Sequence, residues 1–95
     1  MSNEEWVWVF NGARATFPVA VFHTKEQAAE EVRRRGLTGT ITAYPLDWFS
    51  IEWAAAKGFY KEPISGKGIT SEMIERYVSE RQEHFHYENG EPMEE

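Results

Sequence analysis

The chain has 95 residues, no cysteine and a formal net charge of −6 at pH 7. A chain of this length forms one domain with one modest core, and without cysteine it has no disulfide, thiolate metal ligand or cysteine nucleophile. The negative charge argues against general nucleic-acid binding, because phosphate neutralisation needs clustered Lys and Arg. The N-terminal apolar run is too short for a signal peptide or a membrane span, so we expect a soluble cytoplasmic protein without a membrane partner.

The first part of the sequence predicts a β-hairpin. Residues 6–10, WVWVF, are apolar on both faces of an extended chain, which is typical of a central strand. The pair Asn11-Gly12 favours a type I′ turn, which leads into a second strand at about residues 13–22. Because Pro18 cannot donate a hydrogen bond to a neighbouring strand, this second strand is expected at the edge of a sheet or with a bulge.

A helix and a third strand follow the hairpin. The capping-box pattern TKEQ predicts that the helix begins after Thr24, and Gly36 supplies a left-handed residue that ends it. Acidic residues at 30–31 stand four positions before arginines at 34–35, which is the spacing of favourable ion pairs on a helix. The third strand is expected at about residues 38–44.

The remaining sequence predicts two more helices. The first covers about residues 47–57, with Asp47 as its N-cap. After a loop rich in Gly and Pro signals, the second covers about residues 71–82, with Thr70 or Ser71 as its cap.

Together these elements indicate an α+β fold. We expect a three-stranded, mainly antiparallel sheet with ββαβ connectivity and strand order 2-1-3, two further helices and a possible short C-terminal strand. A single compact domain is expected over residues 1–88, followed by a disordered acidic tail at residues 89–95.

Three segments of the chain, WVWVFNGARATFPVAVFHTKEQA, LTGTITAYPLD and HFHYENG, resemble a family of short uncharacterised bacterial proteins. The pattern of that family has a Trp-Val-Phe-x-Gly strand and a Phe-Pro-x-Ala-Val-Phe strand, then Ala-Tyr-Pro-Leu-Asp and His-Tyr-Glu-x-Gly segments. The resemblance covers most of the chain except residues 58–70 and the tail. It implies a compact domain of bacterial type, and it implies no catalytic activity.

Alternate polar residues near the C-terminus are a candidate metal site. In an extended chain, His84, His86 and Glu88 lie on one face, and two imidazoles with one carboxylate suit iron or zinc. The competing interpretation is that Phe85 and Tyr87 pack onto the domain while the histidines face water. If this segment instead continues the preceding helix, the three candidate ligands no longer share a face.

The aromatic residues suggest a second candidate site. Aromatic side chains make up 15% of the chain, and several cluster in or just after the predicted helix at residues 47–57. One helix on a small sheet can hardly bury all of them, and an excess of apolar surface often marks an interface. The alternative is a thick core shared with the third helix. The candidate partner-binding residues are Trp48, Phe49, Trp53, Phe59 and Tyr60.

The sequence therefore favours a non-catalytic function over an enzyme. The leading hypothesis is a small acidic protein-binding module, either of an inhibitor or immunity type or one that self-associates, whose acidic residues steer a basic protein partner. This function requires no cofactor. The alternative is a metal-binding protein or small metal-dependent enzyme that holds zinc or iron on the His-x-His-x-Glu strand.

Overall fold

The computed structural model describes residues 5–60, 68–78 and 81–93. These residues form five strands and three helices, which confirms the predicted α+β class but adds two strands to the predicted three. The elements in chain order are β1 (Trp6–Gly12), β2 (Ala20–Phe22), α1 (Lys25–Arg35), β3 (Gly39–Pro45), α2 (Ser50–Ala56), α3 (Ser71–Arg76), β4 (His84–Glu88) and β5 (Glu91–Pro92).

The chain divides into two compact units. The sheet unit comprises Met1–Leu46 and Glu83–Glu95, and the helical unit comprises Asp47–Gln82. All five strands and α1 belong to the sheet unit, whereas α2 and α3 belong to the helical unit. The expectation of one compact domain over residues 1–88 stays a prediction.

The five strands form one sheet in the order β2-β1-β3-β4-β5, and every neighbouring pair is antiparallel. The predicted order 2-1-3 of the first three strands is confirmed, and the possible C-terminal strand is present as β4 beside β3. As the two-sided apolar pattern of β1 indicates, this strand is central: it pairs with β2 on one side and with β3 along its full length on the other.

The core of the sheet unit lies between α1 and one face of the sheet, here called the core face. Directly opposed residues of antiparallel strands share a face, so Phe10, Ile41 and Phe85 form a row across β1, β3 and β4. On α1, residues four apart lie on one side of the helix, and the buried members of that side pack on the row. The buried cluster consists of Phe10, Ala28, Val32, Ile41 and Tyr87.

The ends of α1 follow the predicted local signals. The side-chain hydroxyl oxygen of Thr24 accepts a hydrogen bond from the backbone N–H of Gln27 at 3.1 Å, which satisfies one N–H that the helix itself cannot pair. At the other end, Gly36 adopts a left-handed conformation with φ 64°, and its N–H donates to the carbonyl oxygen of Arg33. Both predicted helix ends are therefore confirmed.

The ion pairs of α1 differ in part from the predicted i,i+4 set. Glu31 binds both Arg34, at 2.7 Å, and Arg35, at 2.8 Å, so Arg34 uses the carboxylate three residues away instead of that of Glu30. Hydrogen bonds first from Arg35 and then from Arg34 lower the pKa of the Glu31 carboxyl below its ordinary value. The same contact with Glu31 raises the pKa of Arg34.

The connection between β1 and β2 is longer than the sequence predicts. Asn11 and Gly12 do not form a two-residue hairpin turn; they are the last residues of β1 and pair with β3. The chain turns one step later, where the carbonyl oxygen of Gly12 accepts a hydrogen bond from the N–H of Ala15 at 3.0 Å. Strand β2 then has only three residues, all after Pro18, which has no N–H to donate.

The tight turn occurs instead at the second Asn-Gly pair of the chain. Asn89 and Gly90 both have positive φ, 52° and 85°, and they join β4 to β5 as a type I′ turn does. The N–H of Asn89 donates to the Thr38 hydroxyl oxygen at 2.9 Å, and the N–H of Gly90 donates to the Leu37 carbonyl oxygen at 2.8 Å. These hydrogen bonds tie the turn to the segment between α1 and β3, while the expectation of a disordered tail over residues 89–95 stays a prediction.

Helix α2 begins three residues later than the sequence predicts. An N-cap residue has an extended backbone, whereas Asp47 is left-handed with φ 69°. The N-cap is Phe49, which has an extended backbone but no side-chain capping hydrogen bond. The prediction that Asp47 caps this helix is wrong because its backbone conformation excludes that role.

Helix α3 is shorter than predicted. The Thr70 hydroxyl oxygen accepts a hydrogen bond from the N–H of Met73 at 3.2 Å, which confirms Thr70 as one of the two predicted caps. The helix ends at Arg76 because Tyr77 turns to an extended backbone with ψ 129°. Part of the helix predicted over residues 71–82 lies outside the residues that the structure describes.

Candidate protein-binding surface

The structure divides the predicted aromatic cluster of the helical unit into exposed and buried rings. Trp48 is 42% exposed, Phe49 is 58% exposed and Phe59 is 44% exposed. Tyr60 is half-buried, whereas Trp53 is buried with 5% exposure. The three exposed rings, Trp48, Phe49 and Phe59, are here called the aromatic surface.

The exposure of two of these rings follows from the start of α2. The periodicity of a helix sets the direction of a side chain only for residues inside the helix. The buried residues of α2 are Ile51, Trp53 and Ala54. Trp48 and Phe49 precede the first helical residue, Ser50, in the turn and N-cap. The helix therefore does not carry their rings toward its buried side.

The third ring of the aromatic surface is held by its neighbours. The buried Trp53 ring packs at 5.6 Å between ring centroids against Phe59, with the planes tilted by 59°. The Arg81 guanidinium lies 4.9 Å from the centre of the Phe59 ring, within the range of a cation–π contact. Trp53 thus supports an exposed ring from beneath, and a partner would reach Phe59 before it reached Trp53.

A cleft of about 310 Å³ lies in the helical unit, where it is lined by α3 and the following Tyr77, by Ile51 of α2 and by Tyr60. Tyr60 and Tyr77 line it, with ring centroids 5.4 Å apart in an edge-to-face arrangement. Glu72 and Arg76 also line it, and they form an exposed ion pair at 3.4 Å, so this part of the lining carries no net formal charge. The remaining lining is apolar, which suits an uncharged side chain.

The candidate metal residues lie on β4, so this segment is extended and does not continue the preceding helix, the two possibilities that the sequence left open. His84 and Glu88 are exposed, and the half-buried His86 has its Nδ1 atom 3.0 Å from the Thr40 hydroxyl oxygen. The two imidazole rings are 5.5 Å apart. Within the ranges 5–60, 68–78 and 81–93, no group of three His, Cys, Asp or Glu residues could hold a metal ion.

The other side of β4 agrees with the competing interpretation of this segment. Tyr87 is buried and Phe85 is half-buried, and both belong to the core face of the sheet unit or pack against it. The ammonium nitrogen of Lys25 lies 3.8 Å from the centre of the Phe85 ring. The alternation of residues 84–88 therefore places aromatic residues on the core and histidines on the opposite face.

A second group of exposed apolar residues, in the sheet unit, was not predicted as a site. Phe17, Val19 and Val21 all lie in or just before β2 and are strongly exposed. The signal was visible in the sequence as an apolar run from Phe17 to Phe22, with no charged residue from Ala15 onward. Such an apolar run also fits a core strand, and the sheet order shows that it lies at an edge.

These features define a small α+β protein with a helix-backed antiparallel sheet and a helical unit, and each unit carries exposed apolar residues. The chain belongs to a family described as a domain of unknown function (DUF7710), whose family model matches residues 7–93. This confirms the resemblance to an uncharacterised family. Comparisons with curated proteins and with solved structures gave no match. In the part of the chain that the structure describes, no helix combines the length and apolar character needed to cross a membrane.

Proposed function

We propose that this protein is a non-catalytic protein-binding module and that the aromatic surface of the helical unit contacts the partner. The observation that carries the proposal is the exposure of Trp48, Phe49 and Phe59, each above 40%, within twelve residues of chain. Aromatic rings dominate the energetic centres of protein interfaces because they bury a large apolar area with few rotatable bonds.

The surroundings of the aromatic surface support a partner that is apolar at the contact and basic around it. The cleft beside α3 is lined by Tyr60 and Tyr77 and can receive one uncharged side chain of a partner. The net charge of −6 would accelerate encounter with a basic protein. An inhibitor or immunity-type role is the form of this proposal that small size and acidic charge favour.

The experiment is affinity purification of the full-length protein from its native host, with wild type and variants captured in parallel. We expect one protein to co-purify with wild type and to bind the Trp48→Ala or Phe49→Ala variant at least ~10-fold more weakly, the usual effect of removing one anchor ring. The control is Val78→Ala, which truncates an exposed apolar residue of the same unit outside the aromatic surface. Circular dichroism establishes that all variants are folded.

The affinity of the captured protein is then measured at two salt concentrations with purified components. A basic partner should bind more weakly at high salt, because screening removes long-range attraction. Equal binding by wild type, Trp48→Ala and Phe49→Ala would refute the assignment of the aromatic surface. Failure of any protein to co-purify above background would count against the binding function itself.

A further inference from the structure

The sheet unit presents one edge that is open and apolar. Strand β2 pairs only with β1 and is the first strand in the sheet order. Around it, Phe17 is 75% exposed, Val19 is 60% exposed and Val21 is 64% exposed. An edge strand directs alternate N–H and C=O groups away from the sheet, where another strand can pair with them.

The apolar character continues from this edge onto the sheet. Val21 is directly opposite Val9 of β1, and the two side chains share the face of the sheet that α1 does not cover. Val9 is half-buried. The three exposed residues Phe17, Val19 and Val21 are here called the β2 edge. The β2 edge is therefore the margin of a wider apolar area that includes Val9.

The opposite edge of the same sheet is built differently. Strand β5 has two residues, Glu91 and Pro92, and short edge strands with a charge or a proline are the usual protection against strand pairing. The segment from Ala15 to Phe22 contains no charged residue, and its proline precedes β2 and leaves the three N–H groups of β2 intact. One edge is thus protected, and the other is not.

A cleft of about 520 Å³ runs between β2 and α1 on the core face. Its apolar lining includes Phe10, Phe22 and Leu37. A strand added beside β2 would lie along the open side of this cleft and cover it. On the helix side the lining is charged: it includes Glu30 and Glu31, and Glu31 is paired with two arginines.

We propose that β2 pairs in antiparallel orientation with β2 of a second copy of this chain and forms a two-fold symmetric dimer with one continuous sheet. The β2 edge is uncharged and self-complementary: a two-fold axis near Val21 places Val21 opposite Val21 or Val19 of the second copy. Two acidic chains can approach along this segment because it carries no charged residue from Ala15 to Phe22. Pairing of β2 with β5 of another copy would instead meet Glu91 and Pro92, so the assembly closes at two copies.

The contact is small, because β2 has only three residues and each copy contributes three strongly exposed side chains. Small interfaces of this kind belong to weak assemblies. We therefore expect mostly monomer at about 1 μM and mostly dimer at about 1 mM.

Sedimentation equilibrium over about 1 μM to 1 mM tests the proposal with full-length wild type and two matched lysine variants. Val21→Lys places a charge in the β2 edge and should raise the dimer dissociation constant at least ~10-fold, as edge lysines do. Val78→Lys adds the same charge at an exposed site of the helical unit and should leave the constant unchanged. A wild type that is monomeric at about 1 mM, or a Val21→Lys variant that dimerises like wild type, overturns the proposal.

Amide hydrogen exchange of wild type provides a test that does not depend on the folding of a variant. Exchange at Val21 should slow as the protein concentration rises, whereas exchange at Glu91 should not. Equal concentration dependence at both edges would overturn the proposal. Trp48→Ala should dimerise normally, so failure of the dimer and failure of partner binding through the aromatic surface are observed separately.

Discussion

Replacement of Gly39 by alanine should be among the most destabilising single-methyl changes in the sheet unit. Gly39 is the first residue of β3 and lies opposite Gly12 of β1. A Cβ atom at Gly39 would overlap the backbone carbonyl oxygen of Asn11 and come within 2.8 Å of Cζ of Phe10. Because the Asn11 oxygen belongs to the backbone, no side-chain rotation relieves the overlap, and the two strands must separate locally.

The expected cost is about 3 kcal/mol, at the upper end of the 1–3 kcal/mol range for overpacking, because the overlap involves backbone as well as the Phe10 ring. For a domain of this size each kcal/mol lowers the melting temperature by about 4–8 °C, so Gly39→Ala should melt about 12–24 °C below wild type. That loss is a large share of a typical stability of about 5–15 kcal/mol.

The matched control is Gly12→Ala, on the opposite member of the same residue pair. A Cβ atom there lies 3.8 Å from Cε2 of Phe10 and 4.0 Å from Cβ of Ala15, which are ordinary contact distances. This variant should have wild-type stability or gain up to about 1 kcal/mol, because alanine restricts the unfolded chain. Urea denaturation followed by circular dichroism measures both variants. If Gly39→Ala is as stable as Gly12→Ala, the close approach of β1 and β3 at this point is not real.

Three further outcomes are expected. Thr24→Ala removes the acceptor of the Gln27 N–H and should cost about 1 kcal/mol in urea denaturation; Thr24→Ser should restore most of it, and equal stability of all three proteins would refute the capping role. Because the pKa of Glu31 is lowered in the folded state, its contribution is present above its unfolded pKa and is lost as pH falls through the folded pKa. Glu31→Gln should therefore melt below wild type at pH 7 but not in acid, and a difference that is independent of pH would contradict the ion pairs. Among the described residues no group of three His, Cys, Asp or Glu could hold a metal ion, so stoichiometric zinc should leave the NMR chemical shifts of the His84 and His86 imidazoles unchanged. A saturable change in these chemical shifts would support the metal-binding hypothesis.

Helix ends were predictable from the sequence because they depend on local interactions. Thr24 accepts a hydrogen bond from the N–H of Gln27, three residues away, and Gly36 ends the same helix through its own left-handed backbone conformation. Thr70 caps α3 in the same way as Thr24 caps α1. In each case the donor, the acceptor and the conformational requirement lie within one turn of chain, so residue type is sufficient information.

The position of the tight hairpin was not predictable from residue type. The chain has two Asn-Gly pairs, both with the same tolerance for positive φ. The pair at residues 11–12 is extended because it pairs with β3, whereas the pair at 89–90 turns and is held by Leu37 and Thr38. Both outcomes depend on residues that are distant in sequence, so the local signal could not choose between them.

Prediction of the aromatic site depended on one error about a helix start. In a helix over residues 47–57, Phe49 and Trp53 lie four residues apart and share one face. The observed start at Ser50 leaves Phe49 at the N-cap, where it is exposed, while Trp53 is inside the helix and buried. The sequence indicated an excess of rings over available core, but which rings lie at the surface depends on where the helix begins, and that start was predicted three residues too early.

The β2 edge shows why an apolar run alone does not identify an exposed surface. Had β2 been a central strand, Val21 would have had a strand on both sides, and the same apolar run would have described core. Because the sheet order places β2 at an edge, and α1 covers only the core face, the pattern leaves apolar side chains and backbone groups open together. A lone exposed valine is common on protein surfaces. Exposed valines on and beside an uncharged edge strand, with the other edge protected by Glu91 and Pro92, are a specific asymmetry, and the proposed self-pairing rests on it.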